Sequence, residues 1–312
     1  MRTRQGLSGL RELPEGCVVS IGNFDGMHAG HARIISTLLT LRREDASAIP
    51  AVITFEPHPL TVLKPQAAPP RLTPAHMKAE LLRDAGVEEL VVLPPSPEVL
   101  GLTAERFWHL VRDHARPRQV VEGRRFNFGK DRTGTIERLR AWCSEARIGL
   151  TVIDEVEVTL DDYTVVPISS TLVRWLVHHG RMRDVRACTG RAYAIEGVVV
   201  AGFQRGRTIG VPTANLRVED QLVPGEGVYA GSARVEGAVY PVALSIGTMP
   251  TFGESHPQVE AHLVGFDGDL YGQTLRVEVH DWIRGQTRFP GVEDLKRQLA
   301  RDLDEVRARI AV

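Results

Sequence analysis

Only three cysteines, Cys17, Cys143 and Cys188, occur in 312 residues, far apart and with no C-x-x-C spacing. That argues against a disulfide framework or a cysteine zinc site, and makes a reducing cytoplasm the expected compartment. A dominant sign of charge is also missing. The formal net charge is −1 with 25% charged residues, so no global field draws nucleic acid or an acidic membrane. No stretch approaches the ~20 apolar residues of a membrane span, and residues 1–15 mix charges with isolated leucines where a signal peptide needs an apolar core. Internal repeats, low-complexity tracts, a G-x-x-x-x-G-K-[ST] loop and the protein-kinase motif set are absent. The expectation is a cytoplasmic protein, long enough for two domains, with no nucleic-acid or membrane partner. Its local basic clusters, Arg124-Arg125 and Arg205-Gly206-Arg207, suit discrete phosphate sites better than a polyanion track.

What is present falls into two rhythms. Apolar runs at 17–21, 51–55, 89–93, 119–121 and 150–153 read as short strands. Helical patterns lie between them at 31–43, 74–85, 103–115 and 136–146. This alternation predicts a parallel sheet covered by helices on both faces, with ligands at the carboxyl ends of its strands. Residues 181–191 read as a polar, arginine-rich connector. Beyond it, runs at 192–201, 228–235, 239–246, 258–264 and 274–279 read as strands of a small closed or sandwiched β unit. Val292, Leu295, Leu299, Leu303, Val306 and Ile310 step by three or four, giving a terminal helix whose stripe needs the side of that unit. The boundary is expected near 184, making domains of 1–183 and 184–312.

The richest run of the first half is Ile21-Gly22-Asn23-Phe24-Asp25-Gly26-Met27-His28-Ala29-Gly30-His31, directly after the first strand. Glycines let the backbone approach a phosphate. The helix expected from about His31 offers unpaired N–H groups and a partial positive charge to a triphosphate. His28 and His31, about one turn apart, can donate to the same oxygens. A second phosphate contact is suggested by Ile168-Ser169-Ser170-Thr171-Leu172-Val173-Arg174. Its hydroxyls can cap a helix or bind phosphate, and Arg174 reaches the same anion one turn on. In the second half, Gly202-Phe203-Gln204-Arg205-Gly206-Arg207-Thr208-Ile209-Gly210-Val211-Pro212-Thr213-Ala214-Asn215 combines a glycine cradle with Thr213 and Asn215, hard neutral oxygens of the kind Mg²⁺ accepts. Each signal has an ordinary reading: a glycine-rich turn with solvated histidines, a plain N-cap, a solvated β-turn.

Taken together, the motifs resemble the prokaryotic bifunctional riboflavin kinase and FAD synthetase family from about Val18 to Ile310. G-x-F-D-G-x-H-x-G-H and I-S-S-T-x-x-R are similar to the adenylyltransferase half, as are Thr54-Phe55-Glu56-Pro57-His58-Pro59 and Arg71-Leu72-Thr73 with Lys78. Pro212-Thr213-Ala214-Asn215 resembles the riboflavin kinase signature, with Val211 in place of its usual phenylalanine. Gly225 with Gly227-Val228-Tyr229, Ser245 to Phe252, Glu260-Ala261-His262-Leu263, Asp269-Leu270-Tyr271-Gly272, Ile283-Arg284 and Arg288-Phe289 follow in the family's order. The resemblance implies a Rossmann-like nucleotidylyltransferase parallel sheet with helices, then a small six-stranded riboflavin-kinase-type β-barrel with a terminal helix.

It also implies ATP at Gly22, Asn23, Phe24, Asp25, Gly26, His28, Gly30, His31, Ser169, Ser170, Thr171 and Arg174. The flavin of that half would lie against Phe55, Pro57, His58, Asn127 and Phe128. The kinase would bind ATP through Gly202, Arg207, Gly210, Pro212, Thr213 and Asn215, with Mg²⁺ on Thr213 and Asn215. Its flavin would meet Glu260, Arg284 and Phe289. Glu260 is the implied general base, because phosphorylating a primary alcohol means removing its proton. Without the resemblance it would read as an outward strand position. The catalytic set is Glu260, His28, His31 and Arg174; the small molecules are riboflavin, FMN, FAD and ATP, and self-association is left open.

One departure matters. In Gly123-Arg124-Arg125-Phe126-Asn127-Phe128-Gly129, Arg125 stands where the family pattern G-x-[DN]-F-x-F-G has an acid or amide, and arginine accepts no hydrogen bond. This keeps a second reading open, a riboflavin kinase whose transferase half is impaired or redirected. A third, a non-catalytic flavin-binding regulator, would have no use for a general base.

Overall fold

The computed structural model describes residues 1–201, 210–247 and 258–310. It comprises two compact units, Met1–Glu157 with Pro167–Ser170, and Val158–Val166 with Thr171–Val312.

In the first unit six strands form a wholly parallel sheet: β1 (Arg2–Gln5), β2 (Val18–Ile21), β3 (Pro50–Phe55), β4 (Glu89–Leu93), β5 (Gln119–Gly123) and β6 (Gly149–Ile153). Their order is β1-β4-β3-β2-β5-β6. Alternate residues feed two cores. Val19, Ile21, Ile53, Val91 and Val120 pack with Phe107, Trp108 and Leu139, while Val18, Val52, Leu90 and Val121 pack with Ile35, Leu38 and Leu82. Burial on both faces explains why the strands read as nearly continuous apolar runs. The chain leaves β2 toward β3 and β4, then crosses to place β5 and β6 on the other side. The order therefore reverses between β2 and β5, where such sheets bind ligands.

β1 was not expected. Its charged residues suit a sheet edge, and Arg4 is matched by Glu89 at 2.9 Å and Glu12 at 2.7 Å. Nor is residues 181–191 a plain connector. Met182–Thr189 is a helix, because Met182, Val185 and Cys188 recur every three residues and are buried. Arg181 bonds Asp184 at 2.5 Å and Asp162 at 2.9 Å. A short hairpin, β7 (Glu157–Thr159) with β8 (Val165–Pro167), precedes the helix Ser170–His178.

The second unit holds a closed antiparallel barrel, β10-β13-β12-β11-β14-β9. Its strands are β9 (Tyr193–Val200), β10 (Ala214–Arg217), β11 (Gly227–Val235), β12 (Ala238–Gly247), β13 (Gln258–Leu263) and β14 (Thr274–Arg284). β10 is the strand that hydropathy alone did not reveal, four residues long and beginning inside the Pro-Thr-Ala-Asn run. Burial alternates along β9 and β13, as a filled barrel requires. The helix Val292–Arg309 covers the outside, where Val306 and Ile310 meet Ala230. Val292 at the other end of the stripe stays exposed.

Gly129 closes the turn after β5 with φ 71°, and a Cβ there would lie 2.4 Å from Ala104 Cα. Gly129→Ala is expected to cost roughly 2–4 kcal/mol through strain and overpacking, read as a lower denaturant midpoint of the first unit. Burial pushes the Cys17 thiol up to about 12 and those of Cys143 and Cys188 to about 11. Alkylation of the native protein near neutral pH should therefore be slow at all three, and become fast only on unfolding.

Candidate functional site

The loop after β2 is held from beneath. The Gly22 N–H still bonds the Ile53 carbonyl at 3.0 Å, and then the chain turns away. Phe24 and Met27 take left-handed φ values of 49° and 40°, a conformation costing roughly 1–3 kcal/mol each. Both side chains are buried, so core packing holds the turn against that cost. The Asp25 carboxylate accepts the N–H groups of Leu72 at 3.1 Å and Thr73 at 2.9 Å. In return Gly26 N–H donates to the Thr73 hydroxyl at 3.2 Å, and the Ser170 hydroxyl donates to the Asp25 carbonyl at 2.8 Å.

The helix runs Ala29–Glu44, two residues earlier than expected, with His28 at its N-cap and His31 in its first turn. His28 makes no side-chain cap to the first-turn amides. Instead its ring stacks on His31, centroids 3.8 Å apart, and His31 also meets Phe24 at 5.0 Å. A Cβ on Gly30 would come within 3.1 Å of the His28 ring, so glycine permits the stack. Two imidazoles and the positive end of a helix thus converge at the mouth of β2, an arrangement suited to polyphosphate.

Beside this mouth is a charged triad that sequence reasoning did not assign. Glu56 pairs with Arg71 at 2.6 Å and with buried Lys78 at 2.7 Å. Lys78 also reaches the carbonyls of Asn23 at 3.3 Å and Phe55 at 3.4 Å, tying the ends of β2 and β3 together. Asn23 Oδ1 is buried with no hydrogen-bond partner among the described residues, an acceptor to which a ligand donor can bind.

On the other flank lies an aromatic ladder. Phe126 stacks on Phe128 at 5.1 Å, and Phe128 meets Phe107 at 5.9 Å and Trp142 at 6.2 Å. Phe55 joins through Phe107 at 6.3 Å. Phe128 is core, whereas Phe126, absent from the expected flavin set, is only partly buried. His58 Nδ1 accepts the Leu60 N–H at 3.1 Å within the turn after Pro57. Asn127 is exposed and donates to the Arg125 carbonyl at 2.7 Å. Arg125 itself forms a two-pronged ion pair with Glu155, through Nε and, at 2.8 Å, through its second nitrogen; Arg124 pairs likewise with Asp154. Ser169 and Ser170 belong to the first unit. Thr171 and Arg174 follow on the helix Ser170–His178, in the second.

In the barrel, Glu260 on β13 stands directly opposite Asn215 on β10 and Ser245 on β12. Directly paired residues share a face, so the three form one polar row. Val259 and Ala261, on either side of Glu260 in the chain, are buried. A cavity of about 430 Å³ opens here, lined by Glu226, Ser245, Glu260, Gln286 and Arg288 among others. Gln286 donates to the Ser245 hydroxyl and the Ile246 carbonyl, both at 3.0 Å. His262 Nδ1 donates to the Pro212 carbonyl at 2.7 Å, which fixes the segment carrying Thr213 and Asn215 against β13. Thr213 and Asn215 are two residues apart entering β10, so they share a side of extended chain. Gly210 has φ 83°, while Gly202 and Arg207 lie outside the described residues. Arg284 does not line the cavity. It grips buried Asp302 through two nitrogens at 3.0 and 2.7 Å, and lies 5.8 Å from the Phe289 ring.

Two family models divide the chain: FAD synthetase matches residues 10–171 and riboflavin kinase residues 189–310. The chain is 35% identical over 305 residues to the bifunctional riboflavin kinase/FMN adenylyltransferase of Escherichia coli (strain K12), covering 97% of this chain and 96% of that one. The protein of the same name from Bacillus subtilis (strain 168) is 32% identical, covering 95% and 93%. The one from Pseudomonas fluorescens is 34% identical, covering 100% and 98%. A solved Streptococcus pneumoniae chain, named as a macrolide-efflux protein, superposes with a TM-score of 0.87 at 28% identity, covering 98% and 99%. Among the described residues here, no helix is long and apolar enough to cross a membrane.

Asp25→Ala would leave the Leu72 and Thr73 N–H groups buried without their acceptor. The expected loss is about 2–3 kcal/mol of first-unit stability in denaturant unfolding, with a barrel transition that does not move.

Proposed function

The chain belongs to the bifunctional riboflavin kinase/FMN adenylyltransferase family, and from that premise we propose how its own residues divide the two reactions. It phosphorylates riboflavin with ATP to give FMN, and joins AMP from ATP to FMN, releasing pyrophosphate. The second reaction is assigned to residues 1–183 and the first to 184–312.

For adenylyl transfer, the triphosphate rests at the N-terminus of Ala29–Glu44, where His28 and His31 donate to phosphoryl oxygens. An FMN phosphate oxygen attacks the α-phosphorus in line as the bond to the pyrophosphate oxygen breaks. No covalent intermediate is needed, so positioning and electrostatics supply the rate. Gly22, Asn23, Phe24, Asp25, Gly26 and Gly30 shape the cradle. Ser169, Ser170, Thr171 and Arg174 keep the phosphate role that I-S-S-T-x-x-R implies. Phe55, Pro57, His58 and Asn127 border the flavin, with Phe126 as the ring's contact and Phe128 packed against it. The reading of an impaired transferase is not favoured: relatives matched along nearly their whole length carry both activities in their names. Arg125, whose charge Glu155 meets, is not an isolated cation in the flavin's path.

For the kinase, the observation that carries the assignment is the register placing Glu260 between Asn215 and Ser245 beside the cavity. Glu260 accepts the proton of the riboflavin primary hydroxyl as its oxygen bonds the γ-phosphorus and the bond to ADP breaks. Thr213 and Asn215, two neutral hard oxygens on one side of the chain, fit Mg²⁺, which takes the rest of its shell from phosphates and water. Held there, Mg²⁺ would supply neutralisation of charge on the phosphate oxygens. Arg284, held by Asp302, orients Phe289 toward the flavin by cation–π contact. Riboflavin, FMN and ATP are the small-molecule partners that the family activities imply, and the near-neutral charge supports a cytoplasmic protein without nucleic-acid or membrane partners.

With riboflavin and Mg-ATP, the wild type should form FMN and then FAD, read by separating the flavins. Glu260→Ala should lose FMN formation by roughly 10²–10⁴-fold yet still make FAD from supplied FMN, and His28→Ala should do the reverse. Loss of both activities in either variant would contradict separate sites.

A further inference from the structure

The main-chain ladder between β2 and β5 is short. It pairs Val18 with Gln119 and Val19 with Val120, and goes no further, although both strands continue. The strands part at the point where sheet order reverses. On its β3 side β2 remains bonded, since the next amide, Gly22 N–H, reaches Ile53. The Ile21 N–H is met on the other side by a side chain: Glu122 Oε1 accepts it at 2.6 Å. Glu122 is 2% exposed, near the end of β5 and opposite Val152 of β6. A carboxyl group therefore stands where the next main-chain rung would be, one residue before the loop 22–28.

We propose that Glu122 is a positioning residue for adenylyl transfer: its buried side chain spans the gap between β2 and β5 and sets where the phosphate-gripping loop leaves the sheet. The proposal rests on the reading of that loop as the ATP triphosphate cradle. An apolar residue here would leave the Ile21 amide without an acceptor, so the strands would either close the gap or shift the loop's root. Displacements of about 1 Å at such a distance from the chemistry can cost on the order of 100-fold in rate.

The charge state follows from the surroundings. Burial raises the Glu122 carboxyl well above the usual range, and the Ile21 N–H and Ser20 hydroxyl only partly oppose it. Among the described residues no charged neighbour contributes to that shift. Arg124 and Asp154, at the strand ends, are exposed and paired with one another. Burial thus favours the neutral carboxyl, and rising pH works against the arrangement by forcing a buried charge. Glutamine keeps the acceptor oxygen and cannot ionise.

The test uses the full-length protein, with FMN formation as an internal control for folding. Glu122→Val should lower kcat/KM for ATP in FAD formation by roughly 10- to 100-fold, while riboflavin phosphorylation stays near wild type. In the wild type the ratio of FAD-forming to FMN-forming activity should fall on the alkaline side; in Glu122→Gln it should start near wild type and not fall. Unchanged FAD formation in the valine variant overturns the proposal. So does a glutamine variant that keeps the alkaline fall, which decides the matter if the valine variant does not fold. A parallel His28→Ala protein that still made FAD would overturn the reading of the loop and the proposal with it. Loss of FAD in that control beside a fully active valine variant overturns the proposal alone.

Discussion

An inward-turned carboxylate, Asp25, is the interaction on which the first site depends. The loop that carries it contains two non-glycine residues in left-handed conformations, which an isolated segment would abandon. What prevents this is a reciprocal latch across 47 positions of sequence: Asp25 accepts from Leu72 and Thr73, and Thr73 accepts from Gly26. The latch fixes the start of Ala29–Glu44, and that start brings the His28 and His31 rings to 3.8 Å.

The two units solve one electrostatic problem with different architecture. A parallel sheet supplies oriented strand ends and a helix N-terminus, so the phosphate site proposed there needs few formal charges. A closed antiparallel barrel has no such edge. The site proposed there is a row of side chains on neighbouring strands, Asn215, Glu260 and Ser245, with position set by strand register. Register is strongly specified when one face is buried, because a one-residue slip would turn Val259 and Ala261 out and Glu260 in. The packing of the barrel interior is therefore what aims the proposed general base.

The legible part of the sequence was the part encoded locally. Strands buried on both faces announced themselves as apolar runs, and the loop proposed to bind phosphate stood out by glycines and histidines in one short segment. The six-stranded barrel required the resemblance, because β10 is four residues long and carries only Leu216 as a fully buried residue. β1 was hidden by its arginines, whose partners Glu12 and Glu89 are visible only in three dimensions. The helix Met182–Thr189 was masked by arginines although Met182, Val185 and Cys188 already showed its period. Glu56, Arg71 and Lys78 could be quoted as motif residues, but nothing linear said that they form one charge cluster. Glu122 was passed over for a related reason: a glutamate after two valines reads as the end of a strand, and its burial depends on a gap that only the sheet reveals.

Burial of charge, finally, is managed differently where geometry must be kept and where it need not be. Lys78 and Asp302 are buried ions with close, multiply bonded partners, and removing one member of such a set would strand the other at a cost of about 3–5 kcal/mol. Each lies next to a site, Lys78 under the ends of β2 and β3 and Asp302 behind Arg284. Arg125 and Glu155 are exposed, where an ion pair contributes about 0–1 kcal/mol. Little stability therefore constrains residue 125, and a family position that is usually acidic or amide can carry the opposite charge once an acid 30 residues on meets it. The departure that weighed most in the sequence lies on a surface where exchange is cheap, while the groups that fix the cradle are the ones whose loss the fold would register first.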